Sequence, residues 1–99
     1  MTKAEVVSKI ASKTGVEKVT TLAIVESFMS EIMSAVSENE AVFLRGFGTF
    51  ELKERKTKVA RNIKRNTSLV VPAHFVARFK PAKEFAGQVK ESKVLNDKL

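Results

Sequence analysis

The stretch that most restricts the fold of this chain runs from Lys53 to Pro72, KERKTKVARNIKRNTSLVVP. Between Lys53 and Arg65 it holds seven basic residues, Lys53, Arg55, Lys56, Lys58, Arg61, Lys64 and Arg65, against one acid, Glu54. That segment supplies +6 of a formal +7, so the rest of the chain is nearly balanced. A folded domain gains nothing internally from crowding like charges, which repel. The pattern around them is that of strands rather than of a solvated basic loop. The segment from about Glu51 to Val71 therefore reads as a long two-stranded ribbon with an exposed tip near Asn66-Thr67, since Asn tolerates the left-handed conformation a tip needs. Pro72, with no backbone N–H, marks the strand exit. The simplest reason to tolerate the charge is a polyanionic partner. An isolated ribbon is marginal by itself, so this one is expected to be mobile until an anion neutralises it.

The flanking sequence has to build the support. Thr2 and Glu5 are spaced as a capping box, Val6, Val7, Ile10 and Ala11 recur at helical spacing, and Gly15 is placed to end that helix. Glu17 to Glu38 reads as a second, longer helix after a turn at Thr14–Val16. Leu22, Val25, Phe28, Met29, Ile32, Met33 and Val36 form one apolar stripe along it. So wide a stripe in a chain of 99 residues predicts burial against a second copy of the chain. The acids Glu26, Glu31 and Glu38 on the polar face argue against a helix-turn-helix DNA reader.

From Ala41 the period changes. Ala41–Leu44 and Thr49–Leu52 read as short strands around the turn Arg45-Gly46-Phe47-Gly48, with the Phe47 ring turned into the core. Gly46 and Gly48 serve either the turn itself or a close approach of the polyanionic partner to the backbone. His74–Lys80 alternates, with Phe75, Ala77 and Phe79 on one face and Val76, Arg78 and Lys80 on the other. Pro81 suits the first position of a last helix, Ala82 to about Ser92, with Phe85, Ala86 and Val89 inward. Residues 91–99 are expected to fray or extend that helix. No linker or repeat breaks the chain, which reads as one α+β domain over residues 1–99: a helical hairpin, a three-stranded antiparallel sheet with a long ribbon arm, and a short C-terminal helix.

Several chemistries are excluded or disfavoured. With no Cys there is neither a disulfide nor a thiolate metal site. His74 is the only histidine, a strand-end residue in this reading, and no carboxylates pair in an apolar pocket, so no enzyme, metal, cofactor or small-molecule substrate is expected. The charged N-terminus lacks a secretory core, and no run approaches the roughly 18 apolar residues of a membrane span. A soluble cytoplasmic protein is expected.

The order of two helices, a G-F-G turn, a basic β-arm and a short last helix resembles the HU/IHF family of bacterial histone-like DNA-binding proteins. The stretches that carry the resemblance are Leu44–Phe50, Arg61-Asn62, Pro72-Ala73 and Phe79–Lys83, at spacings that need no gaps, and the likeness covers about Lys3 to Lys90. It implies an intertwined dimer in which helical layers support a saddle of sheet and two arms wrap the DNA minor groove. In the family the arm tip reads Arg-Asn-Pro-x-Thr-Gly, with the Pro as a wedge between base pairs. Here Arg61-Asn62-Ile63-Lys64-Arg65-Asn66 stands there, so Ile63 takes the wedge position, Arg65 and Asn66 replace Thr and Gly, and Ala60 replaces a common Gly.

The expected function is a nucleoid-associated protein that binds duplex DNA in the minor groove with low sequence specificity, bending and compacting it. The expected DNA contacts are Lys3, Arg45, Lys53, Arg55, Lys56, Lys58, Arg61, Asn62, Ile63, Lys64, Arg65, Arg78, Lys80 and Lys83. Asn62 is to hydrogen-bond base edges, Ile63 is to insert, and Lys3, Lys80 and Lys83 are to hold phosphates on the flanks of the body. Phe28, Ile32, Phe47, Phe50 and Phe79 are expected in the dimer core. The partner copy is an identical chain or, in an IHF-like alternative, a sequence-preferring paralogue. An RNA- or ribosome-bound protein is the rival reading. It is disfavoured because no aromatic lies between Phe50 and Phe75 to stack bases on the arm.

Overall fold

A computed structural model of the chain describes residues 1–62, 64, 65 and 67–99. These fall into two compact units, Met1–Ala35 and Val36–Leu99.

The first unit is the helical hairpin. Helix α1 spans Lys3–Thr14. Thr2 caps it, its hydroxyl oxygen accepting the Glu5 N–H at 3.3 Å. Gly15 ends it at φ 76°, and its N–H reaches the Ala11 carbonyl at 2.9 Å. Only glycine adopts that left-handed conformation at little cost. The Thr14 hydroxyl donates to the Ile10 carbonyl and accepts from the Val16 N–H, which fixes the turn. Helix α2, Lys18–Ser37, follows, one residue shorter at each end than its apolar pattern suggests. Near its start Thr21 is buried, its hydroxyl donating to the Glu17 carbonyl at 2.9 Å.

Helix α2 departs from the expectation about membrane spans. With a mean hydropathy of 1.4 it is long and apolar enough, by length and composition, to cross a membrane. Counting uninterrupted apolar residues misses this, because the Ser and Thr between them lower the mean only slightly. The same properties belong to a core helix whose cover comes from elsewhere. Ile24, Phe28, Met29 and Met33 are all exposed in the single chain. Among the described residues only Val7, Thr21, Val36 and Gly48 are buried, so one chain has almost no core of its own.

The second unit is built on strands. Strand β1 spans Val42–Leu44, β2 Gly48–Arg55, β3 Lys58–Asn62, β4 Thr67–Val71 and β5 His74–Pro81. They form a three-stranded antiparallel sheet, β1-β2-β5, and a separate two-stranded ribbon, β3-β4. This corrects the bounds of the arm. Glu51 to Arg55 pair with Arg78 to His74 and belong to the body sheet. The ribbon proper begins at Lys58, paired with Val71. The break lies at Lys56-Thr57 and Pro72-Ala73, where Pro72 can donate no ladder bond. The Thr57 hydroxyl accepts the Ala73 N–H at 3.1 Å and ties the two sides of the break together. At the other end Asn62 pairs with Thr67, so Thr67 lies in β4, and Lys64 and Arg65 lie in the tip turn.

The β1–β2 turn shows why two glycines flank Phe47. The Phe47 N–H returns to the Leu44 carbonyl at 2.9 Å, with Gly46 at φ 80° in the third turn position. Gly48 pairs with Pro81, and a Cβ there would sit 2.6 Å from the Lys80 carbonyl oxygen and the Phe79 ring. Its role is therefore packing within the sheet. The Phe47 ring lies 5.0 Å from Phe79 and 5.6 Å from Phe85, and Phe50 lies 4.7 Å from Phe79.

Helix α3 spans Lys83–Lys90 and α4 Lys93–Asn96. Pro81 is the last residue of β5 rather than the first of α3, because it still stands opposite Gly48, with the neighbouring Ala82 N–H reaching the Phe47 carbonyl at 2.9 Å, while Ala82 takes the cap position. Phe85 is half-buried in the aromatic cluster, whereas Ala86 and Val89 are exposed in the single chain. The tail does not continue α3. Ser92 caps a separate turn of helix, its hydroxyl oxygen accepting the Leu95 N–H at 3.4 Å.

Candidate nucleic-acid interface

Paired residues in an antiparallel sheet share a face, and successive residues alternate between faces. The register therefore sorts the body sheet completely. One face carries Val42, Leu44, Phe50, Leu52, Ala77, Phe79 and Phe75, with Glu54 at its end. The other carries Lys53, Arg55, Arg78 and Lys80, together with Phe43, Thr49, Val76, His74 and a single acid, Glu51. Four of the expected contacts thus lie on one cationic surface, directly behind the aromatic face. Arg45 sits in the β1–β2 turn and Lys83 at the start of α3, both exposed. They line one cleft with Thr49 and Lys80.

The ribbon is organised differently. Lys58, Ala60 and Asn62 share a face with Val71, Leu69 and Thr67, while Val59 and Arg61 share the other with Val70 and Ser68. Val59, Leu69 and Val70 are about two-thirds exposed, so apolar side chains are open on both faces. Lys56 lies in the break, and Lys64 and Arg65 lie in the tip turn, all three exposed.

Asn62 does more than sequence reasoning assigned to it. Its side-chain oxygen accepts the N–H groups of Lys64 at 3.1 Å and Arg65 at 3.4 Å, which folds the tip back on β3. The signal was present, since an Asn side chain readily imitates a turn by bonding backbone two or three residues on. Base contact is left to its NH₂ group. Ile63, the expected wedge, lies outside the described residues.

Lys3 belongs to the first unit and forms an exposed ion pair with Glu26, 2.9 Å from Nζ to Oε1. Phosphate would have to compete with that carboxylate. His74 stands at the strand end, its Nδ1 3.0 Å from the Pro72 carbonyl oxygen. Of the expected dimer core, Phe47, Phe50 and Phe79 are brought together with Phe85 in the second unit. Phe28 and Ile32 lie on α2 in the first.

Comparison with known proteins decides the family. The profile of the family described as "Bacterial DNA-binding protein" matches residues 1–90. The chain belongs to the HU/IHF family of bacterial DNA-binding proteins. It is 37% identical over 93 residues to integration host factor subunit alpha of Mannheimia succiniciproducens, covering 94% of this chain and 95% of that one. It is 38% identical over 90 residues to the SPbeta prophage-derived DNA-binding protein HU 2 of Bacillus subtilis, covering 91% and 98%. The fold is similar to that of HU in an Anabaena HU–DNA cocrystal structure, with a TM-score of 0.86 and 37% identity over 93% of this chain and all of that one. HU and IHF names occur side by side among such relatives, so similarity alone does not place this HU/IHF chain in either branch.

Proposed function

We propose that this HU/IHF chain is an architectural, histone-like protein that acts as a dimer on double-stranded DNA. In this reading residues 1–99 work as one DNA-binding domain. The supporting observation is the division of the body sheet into a cationic face and an aromatic face. A surface with Lys53, Arg55, Arg78 and Lys80 but only Glu51 in opposition favours phosphate of any sequence. The apolar face behind it, like the exposed stripe of α2, requires a cover that a second copy supplies.

The ribbon follows as the part that reaches around the duplex. Lys58, Arg61, Lys64 and Arg65 neutralise phosphates or enter the minor groove, whose donor and acceptor pattern is degenerate, so sequence preference is weak. Ile63 is the wedge, an apolar side chain of the kind that inserts at base steps and kinks DNA. Bent and compacted DNA is the product, with no covalent chemistry, and association with the nucleoid follows from the DNA partner.

Two measurements test this reading. Light scattering of the purified chain at micromolar concentration is expected to give a dimer, and a folded monomer would refute the shared core. Affinity for unrelated duplexes should fall together with rising salt, on a log–log slope of about 0.9 per phosphate contacted. Strong preference for one sequence, appearing only when a second chain is supplied, would favour the heterodimeric IHF-like role.

A further inference from the structure

Phe43 is the exposed large apolar residue on the cationic face. It is 78% exposed in the middle of β1, among the most exposed large apolar residues of the chain. Its pairing places it in a row with Thr49 and, one strand further, Lys80. Strand spacing puts the Cα atoms of Phe43 and Lys80 about 10 Å apart. Both line the same cleft of about 500 Å³ as Arg45 and Lys83, and no carboxylate lines it. Alternation explains why Phe43 points to this side, since Val42 and Leu44 take the apolar face. It does not explain why a ring with no polar atom stands open among three cations. A second copy is a poor cover for the ring, because it would bring the same charges against Arg45, Lys80 and Lys83. Charge complementarity selects a polyanion.

We propose that Phe43 is a stacking platform for an unpaired nucleotide at the flank of the bound DNA. The inference rests on the DNA-binding reading above and adds a nucleic-acid feature that the cations alone do not select. An intact duplex presents sugar and phosphate at its surface, which Arg45, Lys80 and Lys83 serve equally well with or without the ring. An unpaired base adds a π-face. Sites that hold a single strand combine this pair of features, cations that track the backbone and an aromatic that receives the base. The ribbon has no aromatic, so Phe43 places this function on the body.

The chain contains neither Trp nor Tyr, so Phe43→Trp introduces one fluorophore at the position in question. Two duplexes of equal length serve as probes, one blunt and one with a short single-stranded overhang. The full chain should bind the overhang duplex more tightly, and Phe43→Ala should remove that advantage, a loss of about five- to 150-fold, the range of base–aromatic stacking. Binding to the blunt duplex should change less than twofold, and emission of Phe43→Trp should be quenched by the overhang duplex alone. Equal losses on both duplexes, or no loss on either, would overturn the platform while leaving duplex binding intact. Failure of the unaltered chain to bind either duplex would overturn the DNA-binding reading and the platform with it.

Discussion

The body sheet and the ribbon carry the same kind of charge on different foundations. In the body, cations stand on one face while Phe47, Phe50, Phe79 and Phe85 pack on the other, with ring centroids 4.7–6.3 Å apart. Packing fixes where those cations stand. In the ribbon the apolar residues divide between both faces, and Val59, Leu69 and Val70 remain exposed. Among the described residues nothing behind β3 and β4 performs the service of the aromatic cluster, and two strands alone are marginal. A rigid charged floor sets the position of a polyanion, and a compliant charged arm adapts to its shape.

The strongest way to break this comparison is to remove the foundation of the body. Phe79 touches Phe47, Phe50 and Phe85. Phe79→Ala should cost about 3–5 kcal/mol, a large part of the stability of a small domain. Chemical denaturation should show the loss, and dimer and DNA binding should fail together. Val70→Ala in the ribbon should change stability by less than about 0.5 kcal/mol. Comparable costs at the two positions would mean that the ribbon has a packed foundation after all.

A smaller effect sharpens the same point. Gly48→Ala places a methyl group 2.6 Å from the Lys80 carbonyl oxygen, backbone that cannot move without opening the β2–β5 pairing. Overpacking of this kind costs about 1–3 kcal/mol. Hydrogen exchange should accelerate in β2 and β5 and stay unchanged in β3 and β4. Uniform acceleration would show that the two sheets open as one unit.

Charge removal is expected to act still more weakly and without regard to sequence. Lys58→Ala should lower the log–log salt slope by about 0.9 and weaken unrelated duplexes alike. A change confined to one sequence would identify Lys58 as a base reader. Stability should be unaffected, because the residue is exposed at the root of the ribbon.

How much of this was readable from the chain follows the same division. Local signals were sufficient for the hairpin: the Thr2–Glu5 box and Gly15 mark α1, and the helical stripe marks α2 to within a residue. Alternation sorted Phe75, Ala77 and Phe79 from Arg78 and Lys80, and the register reproduces it. The root of the arm was misplaced because no Gly, Pro or Asn marks the break on the first strand between Glu51 and Arg61. Only pairing shows that Arg55 faces His74 while Lys58 faces Val71. Pro81 was misread for a related reason, since a proline that starts a helix and one that closes an edge pairing look alike in sequence. The exposure of Ala86 and Val89 was not legible because helical spacing shows which residues share a face, not whether the same chain covers it.

The finest test of the ribbon concerns Ile63, an apolar residue between Asn62 and Lys64 in the most charged part of the chain. A core role is poor for it, since Lys64 and Arg65 beside it need solvent or phosphate and Asn62 is already engaged in folding the tip. Strand propensity alone would also put Ile there, and the two explanations separate in one variant. Ile63→Ala leaves every charge in place, so affinity for straight duplex and its salt slope should change little. If Ile63 inserts at a base step, it unstacks that step at a cost of a few kcal/mol, offset by the extra protein surface a kinked duplex can wrap. Removing the side chain then lowers the bend angle and changes the advantage for nicked, gapped or pre-bent DNA. Fluorescence energy transfer across a duplex labelled at both ends, at saturating protein, reads the bend directly. An unchanged angle would leave Ile63 as a strand former and assign all the bending to the cations of the body and arm.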